Sequence, residues 1–350
     1  MSIPLYTTEE KQQVFYERYK RIESIEDFDN WVAEHNIMLN NTHERYVAYF
    51  ESFKKKWGVD TSNIGEPFIV YRGLNDGSYK NFTSAQRRLF LNDYSEDDFI
   101  RLIHEEIKSL KEDTQYSRYL AEHQLGFDEW HALSYLQHYE GDTPCLDFTK
   151  DFHMALFFAT DKVSSGNSNP LSKYISFYYM TYPWEYDIYS MYGHGAQTAD
   201  KGIADYEGPY SIDYSEARDL LRTMPFNDLF ATLKDKKYPY MAIDNEAWVM
   251  VAPHIDINEK HAIMNNNVVN QNGCFAVNFS TRKPYEHGKL WCVDINKDVI
   301  PHIEEILKSK GIDKTTVYSA DGNLEIVRAI RDNTNDLIKS DVAKNGLMAI

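Results

Sequence analysis

Helical periodicity crowds the first half of this 350-residue chain and short β-prone runs crowd the second. That order argues against a strict strand–helix–strand alternation and for an α+β fold, a helical N-terminal part packed on a mixed or antiparallel sheet. The helical signals begin with Thr7-Thr8-Glu9-Glu10, a capping-box start, after which Phe15, Tyr19 and Ile22 fall on one face. Tyr46, Phe50, Phe53 and Trp57 recur at helical spacing, as do Phe99, Leu102, Ile103, Ile107 and Leu110 within 96–111. A helix over 128–139 buries Trp130, Leu133 and Leu136 and carries His131, Tyr135 and His138 on its other side. Thr149 reads as the N-cap of a helix whose buried face is Phe152, Ala155, Leu156 and Ala159. Strands are expected over 174–180, 248–251, 274–279, 290–295 and 315–318. A helix built on Val299, Ile303, Ile306 and Leu307 stops at Gly311, and a last helix starts near Asn323. Residues 1–65 are expected to form a helical extension and 66–350 one compact unit.

Composition narrows the function classes. The formal net charge of −17 argues against a protein that tracks nucleic-acid phosphates over a basic face, but it leaves room for a local basic pocket. With 43% apolar and 14% aromatic residues the chain can bury a substantial core. The three cysteines, Cys145, Cys274 and Cys292, form no disulfide framework or zinc pattern, which points to a reducing, cytoplasmic compartment. The His131, Tyr135, His138 stripe fits no common zinc spacing, so no metal is expected. No signal peptide is expected at the N-terminus, and no apolar run approaches the ~20 residues that span a bilayer. The stretch 182–214 lacks any period and reads as a lid or an insertion.

The segment Ile69-Val70-Tyr71-Arg72-Gly73-Leu74 carries the chemistry. An arginine leaving the end of a buried strand is placed to grip a phosphate or carboxylate, and the following glycine allows a flat ligand to approach the backbone. Two further segments accompany it. One is Leu136-Gln137-His138-Tyr139 with Leu146-Asp147-Phe148-Thr149 and then Ala155-Leu156-Phe157-Phe158-Ala159; the other is Asn270-Gln271-Asn272-Gly273-Cys274-Phe275. In this order they resemble the FRG family, named for a Phe/Tyr-Arg-Gly motif, over about 67–330. The family pattern has Pro-Thr-Arg before Leu-Leu-Asp. Here Asp142-Thr143-Pro144 precedes Cys145-Leu146-Asp147, so Pro144 stands where the family has arginine.

The residue order is also similar to that of ADP-ribosyltransferases, which implies an ADP-ribosyltransferase-like core and NAD as substrate. By that resemblance Arg72 grips the pyrophosphate or ribose, and the Gly73 backbone pairs with the nicotinamide amide. Thr149 sits beside the sugar, and Gln271 or Glu246 orients the ribose or the attacking group. Tyr71, His138 and Asp147 complete the nucleotide site. The implied activity is ADP-ribosyl transfer by an intracellular effector or phage-defence toxin, onto nucleic acid or protein. The reaction needs positioning and stabilisation of an oxocarbenium-like sugar more than covalent help. The alternative is a module that senses a nucleotide without turnover. The residues leave other readings open: Arg72 paired with Asp147, Asp147 anchoring the region of Thr149, Gln271 and Gly273 marking a turn, and Glu246 only starting a strand.

Overall fold

The computed structural model describes residues 2–57, 68–122, 126–127, 129–163, 168–182, 242–243, 246–251, 271–278, 280–286, 290–318 and 323–348. The strands are β1 (Tyr19–Ile22), β2 (Phe68–Leu74), β3 (Cys145–Thr149), β4 (Tyr174–Tyr182), β5 (Ala242–Ile243), β6 (Glu246–Val251), β7 (Gly273–Asn278) and β8 (Trp291–Asn296). The helices are α1 (Thr8–Phe15), α2 (Ile25–Trp57), α3 (Ser84–Asn92), α4 (Glu96–Glu112), α5 (Thr114–Glu122), α6 (Glu129–His138), α7 (Phe152–Thr160), α8 (Ile300–Ser309), α9 (Lys314–Val317) and α10 (Asn323–Met348). Among the described residues the protein is therefore α+β. Its sheet is mixed, with strand order β1-β8-β4-β2-β3-β7-β6-β5. Only the β1–β8 pair is parallel; the others are antiparallel. No described helix is long and apolar enough to cross a membrane.

Local chemistry explains most element starts. Thr7 and Glu10 form the expected capping box of α1, and Thr83 with Gln86 and Ser95 with Asp98 do the same for α3 and α4. Three sequence expectations are corrected. Tyr19 and Ile22 belong to β1 rather than to a continuing helix; the helix ends at Tyr16, and the edge of β8 captures the next residues. Residues 315–318, expected as a strand, are the short helix α9 with Tyr318 as its C-cap. There Asp313 caps the backbone of Thr315 and Thr316, and that local capping outweighs the β-prone Thr-Thr-Val composition. Thr149 is not the cap of α7. Asp151 is, accepting from His153 and Met154.

Alternation along the strands sorts the core onto two faces. On one lie Val70, Leu146, Phe148, Tyr178, Cys274 and Cys292, packed with Tyr6 and Phe15 from the N-terminal segment. On the other, Ile69, Tyr71, Phe177 and Val293 pack under α2, α7 and α8. Farther along that face, Cys145, Phe275 and Val277 meet α3 to α6 and α10.

The N-terminal segment is fastened to this sheet by a buried ion pair. Lys11 is 0% exposed and donates to Asp294 Oδ1 at 2.6 Å, Ser176 Oγ at 2.7 Å and the Gly77 carbonyl at 2.7 Å. Tyr19 donates to the second oxygen of Asp294 at 2.6 Å. Burial, with the Asp294 carboxylate next, raises the Tyr19 pKa, so the phenol stays protonated and keeps donating. All three ammonium protons are satisfied, which is the condition for burying such a charge.

Candidate functional site

Three motifs far apart in sequence share one row of the sheet. Tyr71 pairs with Tyr179 and with Thr149, and Thr149 pairs with Gly273. The Tyr-Arg-Gly, Leu-Asp-Phe-Thr and Gln-Asn-Gly segments are thereby set on the adjacent strands β2, β3 and β7. The β2–β3 ladder consists of that single Tyr71–Thr149 pair, whereas β2 follows β4 through Phe68 to Leu74. Beyond the shared row, then, β2 and β3 no longer pair, and the ladder of backbone hydrogen bonds opens between them.

Arg72 bridges this opening. It is 9% exposed; its Nη1 donates to the Asp147 carbonyl at 2.7 Å and its Nε to Asn81 Oδ1 at 3.1 Å. Neither acceptor carries a charge, and among the described residues Arg72 forms no ion pair. Burial pulls its pKa down to about 10; the Asp147 carboxylate opposes the fall and Arg87 adds to it. At neutral pH the guanidinium remains charged. Arg87, on α3, donates to the Phe82 carbonyl at 2.8 Å. Much of its side chain is accessible, yet surrounding protein still lowers its pKa, against Asp147 and Asp142. Arg88 is committed to Asp142 at 2.8 Å.

Asp147 is held from one side. Gln137 Nε2 donates to its Oδ2 at 2.8 Å, and the Thr143 hydroxyl donates in turn to the Gln137 side-chain oxygen. Asp147 Oδ1, Asn81 Nδ2 and His138 Nε2 are all buried without a hydrogen-bond partner. Burial depresses the His138 pKa to about 4, against the pull of Asp147, and the ring packs edge-on to Phe275 with centroids 5.0 Å apart. The neighbouring thiols are poor nucleophiles: burial pushes Cys145 and Cys274 up to about 12.

The remaining expected residues serve the scaffold. Tyr71 lies on the face opposite Arg72, inside a box with Phe152, Phe177 and His35, and its hydroxyl meets His35 Nε2 at 3.1 Å. Thr149, also on that face, spends its hydroxyl on the Gln271 carbonyl at 2.6 Å and accepts from the Asp151 amide. Gln271 donates to the Val317 carbonyl at 3.3 Å and begins a turn in which Asn272 has φ 45°. Thr149 and Gln271 thus meet each other, and neither presents a free hydroxyl or amide to Arg72. Gly73 is explained by packing: a Cβ there would lie 2.1 Å from the Ala155 carbonyl oxygen and 2.5 Å from the Ala159 amide nitrogen, both in α7. The helix occupies the space beside Gly73 in which the sequence leads one to expect a ligand. Glu246 opens β6 at the far end of β7, because Trp248 pairs with Asn278 and Val251 with Phe275. Its backbone is on the order of 20 Å along the strands from the Gly273 row, too far to join Arg72. Residues 183–214 of the aperiodic stretch lie outside the described residues.

Sequence reading missed Asn81, Arg87, Gln137 and Thr143 as members of the cluster. Arg87 carried a usable signal, a charge one residue past Ala85-Gln86 in a helix whose Ala85, Leu89 and Phe90 are buried.

The burial of two histidines makes stability depend on pH. Both His35 and His138 are depressed to about 4 by burial. The unfolded chain, with histidines near 6.5, therefore takes up these protons first. Their contribution is complete above about pH 6.5 and declines as pH falls toward 4, by on the order of 2–3 kcal/mol for each. Urea denaturation at about pH 7 and about pH 5 should show this loss, and His35→Phe should lose part of the dependence.

Residues 68–168 match the model of the FRG domain. The match contains Tyr71-Arg72-Gly73, Gln137-His138-Tyr139 and Leu146-Asp147-Phe148-Thr149, the strands and helix that enclose the Arg72 opening. No curated protein and no solved structure matches the chain. Likeness to ADP-ribosyltransferases accordingly rests on residue order alone.

Proposed function

We propose that the chain is a nucleotide-binding module, and that the FRG segment takes an anionic ligand of the NAD class at the opening between β2 and β3. The observation that carries this is Arg72: a buried, charged guanidinium hydrogen-bonded only to uncharged oxygens, with a second arginine beside it. Burying a cation without a direct ion pair is costly; the Asp147 carboxylate offsets part of that burial, and a phosphate would supply a direct counter-charge and acceptors for the remaining N–H groups. The local excess is notable in a chain of net charge −17.

ADP-ribosyl transfer from NAD to a nucleic-acid or protein acceptor is the second reading. It is favoured by the adjacency of β2, β3 and β7: Arg72 lies on β2, Thr149 ends β3 and Gln271 leads into β7. A carboxylate that would stabilise the cationic sugar is what this reading still requires, since Glu246 is distant along the strands.

The test is incubation of the full chain with nicotinamide-labelled NAD, with and without cell extract, scored for retention and for free nicotinamide. Saturable retention without release is the expected result. Release dependent on Arg72 would favour transfer, and the absence of both retention and release would refute nucleotide binding. Arg72→Ala should lose retention and also melt earlier, because it removes the bridge between the separating strands. The summed loss of its two bonds is on the order of 2–3 kcal/mol.

A further inference from the structure

We infer that the Asp147 cluster reads a ribose diol, so that the site separates ribonucleotides from their deoxy counterparts. The inference rests on the nucleotide-binding reading above and names the part of the ligand that this cluster recognises.

Three unsatisfied atoms belong to residues connected to the Arg72 bridge, Asn81 and Asp147 by its hydrogen bonds and His138 as the neighbour of Gln137, and their characters differ. Asp147 Oδ1 accepts only, Asn81 Nδ2 donates only, and neutral His138 Nε2 does one or the other according to its tautomer. A phosphate would satisfy the donor but repel the carboxylate. An aliphatic group would satisfy none of them. A hydroxyl donates one proton and accepts through its lone pairs, so it can serve Asp147 Oδ1 and Asn81 Nδ2 together. A neighbouring hydroxyl can then serve His138. Vicinal hydroxyls beside a phosphate-binding arginine are what a nucleotide sugar offers.

The carboxylate is prepared for this task. Gln137 and Thr143 hold Oδ2 through successive hydrogen bonds, which fixes the plane of the carboxylate and leaves Oδ1 free. The Thr143 hydroxyl also accepts from the Cys145 amide at 3.1 Å, and the Thr143 amide donates to Ser84 Oγ at 2.9 Å, so the chain is anchored at its Thr143 end. Arg72 is tied to the same two residues, through the Asp147 carbonyl and the Asn81 side-chain oxygen. Phosphate and sugar recognition would consequently be coupled through one guanidinium.

The test compares ADP, 2′-deoxy-ADP and 3′-deoxy-ADP as probes, titrated calorimetrically into the full chain and into Asp147→Asn. The substitution keeps the shape and an acceptor for Gln137 but removes the charge. The wild type is expected to bind ADP roughly tenfold to a hundredfold more tightly than at least one deoxy form, the range for a hydrogen bond to a charged group. Asp147→Asn should bind ADP as weakly as the wild type binds that deoxy form, without discriminating between them. Equal affinity of the wild type for all three nucleotides would overturn the inference while leaving nucleotide binding intact. So would discrimination that persists in Asp147→Asn. If neither ADP nor NAD binds the wild type, the nucleotide-binding reading fails and this inference with it. The wild-type comparison needs no variant, so it stands even if Asp147→Asn does not fold.

Discussion

Replacing Lys11 with methionine is expected to destabilise the protein by about 3–5 kcal/mol, the range for removing one partner of a buried ion pair. The substitution leaves Asp294 0% exposed with its charge uncompensated, and it also strips a donor from Ser176 and from the Gly77 carbonyl. The network joins α1, β1, β4, β8 and the turn after β2, so the loss falls on the attachment of the whole N-terminal segment. Removing both charges, with Lys11→Met and Asp294→Asn together, should recover a large share of the loss, since the double variant no longer strands a carboxylate. Tyr19→Phe should cost less, about 1–3 kcal/mol, for one hydrogen bond to a charged group. Urea denaturation of the four proteins checks the series. A Lys11→Met protein within about 1 kcal/mol of wild type would show that the pair contributes little.

Gly73→Ala is expected to be comparably damaging, for a steric reason. The added methyl would meet the Ala155 carbonyl oxygen at 2.1 Å, the Ala159 amide at 2.5 Å and the Ala159 methyl at 2.9 Å. Two of these are backbone atoms of a helix, which cannot rotate away as a side chain would. Relief requires α7 to lift from β2, and α7 buries Met154, Ala155, Leu156, Phe157 and Ala159. Overpacking of this kind costs roughly 1–3 kcal/mol and occasionally more, and the double backbone clash sets the expectation at about 3 kcal/mol or above. A melting temperature within about 2 °C of wild type would mean that the helix–strand contact is looser than the distances imply.

The strongest periodic signals in the sequence became the elements that the structure contains. Helix 96–111 became α4, where a stripe of buried side chains and the Ser95 capping box agree, and helix 128–139 became α6, whose Leu133 and Leu136 are buried. The strand containing Arg72, and those near 174, 274 and 291, were equally legible from their β-branched and aromatic runs. What escaped was decided by neighbours distant in sequence. Residues 19–22 are drawn into a strand by the edge of β8, which no local pattern announces. Asp313 outweighs the β propensity of Thr315 and Thr316 through capping bonds. The site was legible as a set of motifs, and those motifs do share a row. Which way each side chain points was not legible. A single step along β2 separates Tyr71 from Arg72 onto opposite faces, and the shared row therefore joins Thr149 to Tyr71 rather than to the arginine. Gly73 looked like a ligand contact because sequence shows that a side chain is missing but not which neighbour fills the space.

The central claim is that paired guanidinium groups at the sheet opening hold an anionic nucleotide. Arg72 is a poor probe of it alone, since its loss also loosens the strands. Arg87 makes one hydrogen bond, to the Phe82 carbonyl, and its side chain is accessible, so Arg87→Ala should fold like the wild type. The decisive measurement is calorimetric titration of ADP-ribose into the wild type and into Arg87→Ala, with the melting temperature of each recorded. The account predicts saturable binding to the wild type, weakened roughly tenfold or more in the variant, at melting temperatures within about 2 °C of each other. Equal affinity in the two proteins, or no binding to either, would contradict it.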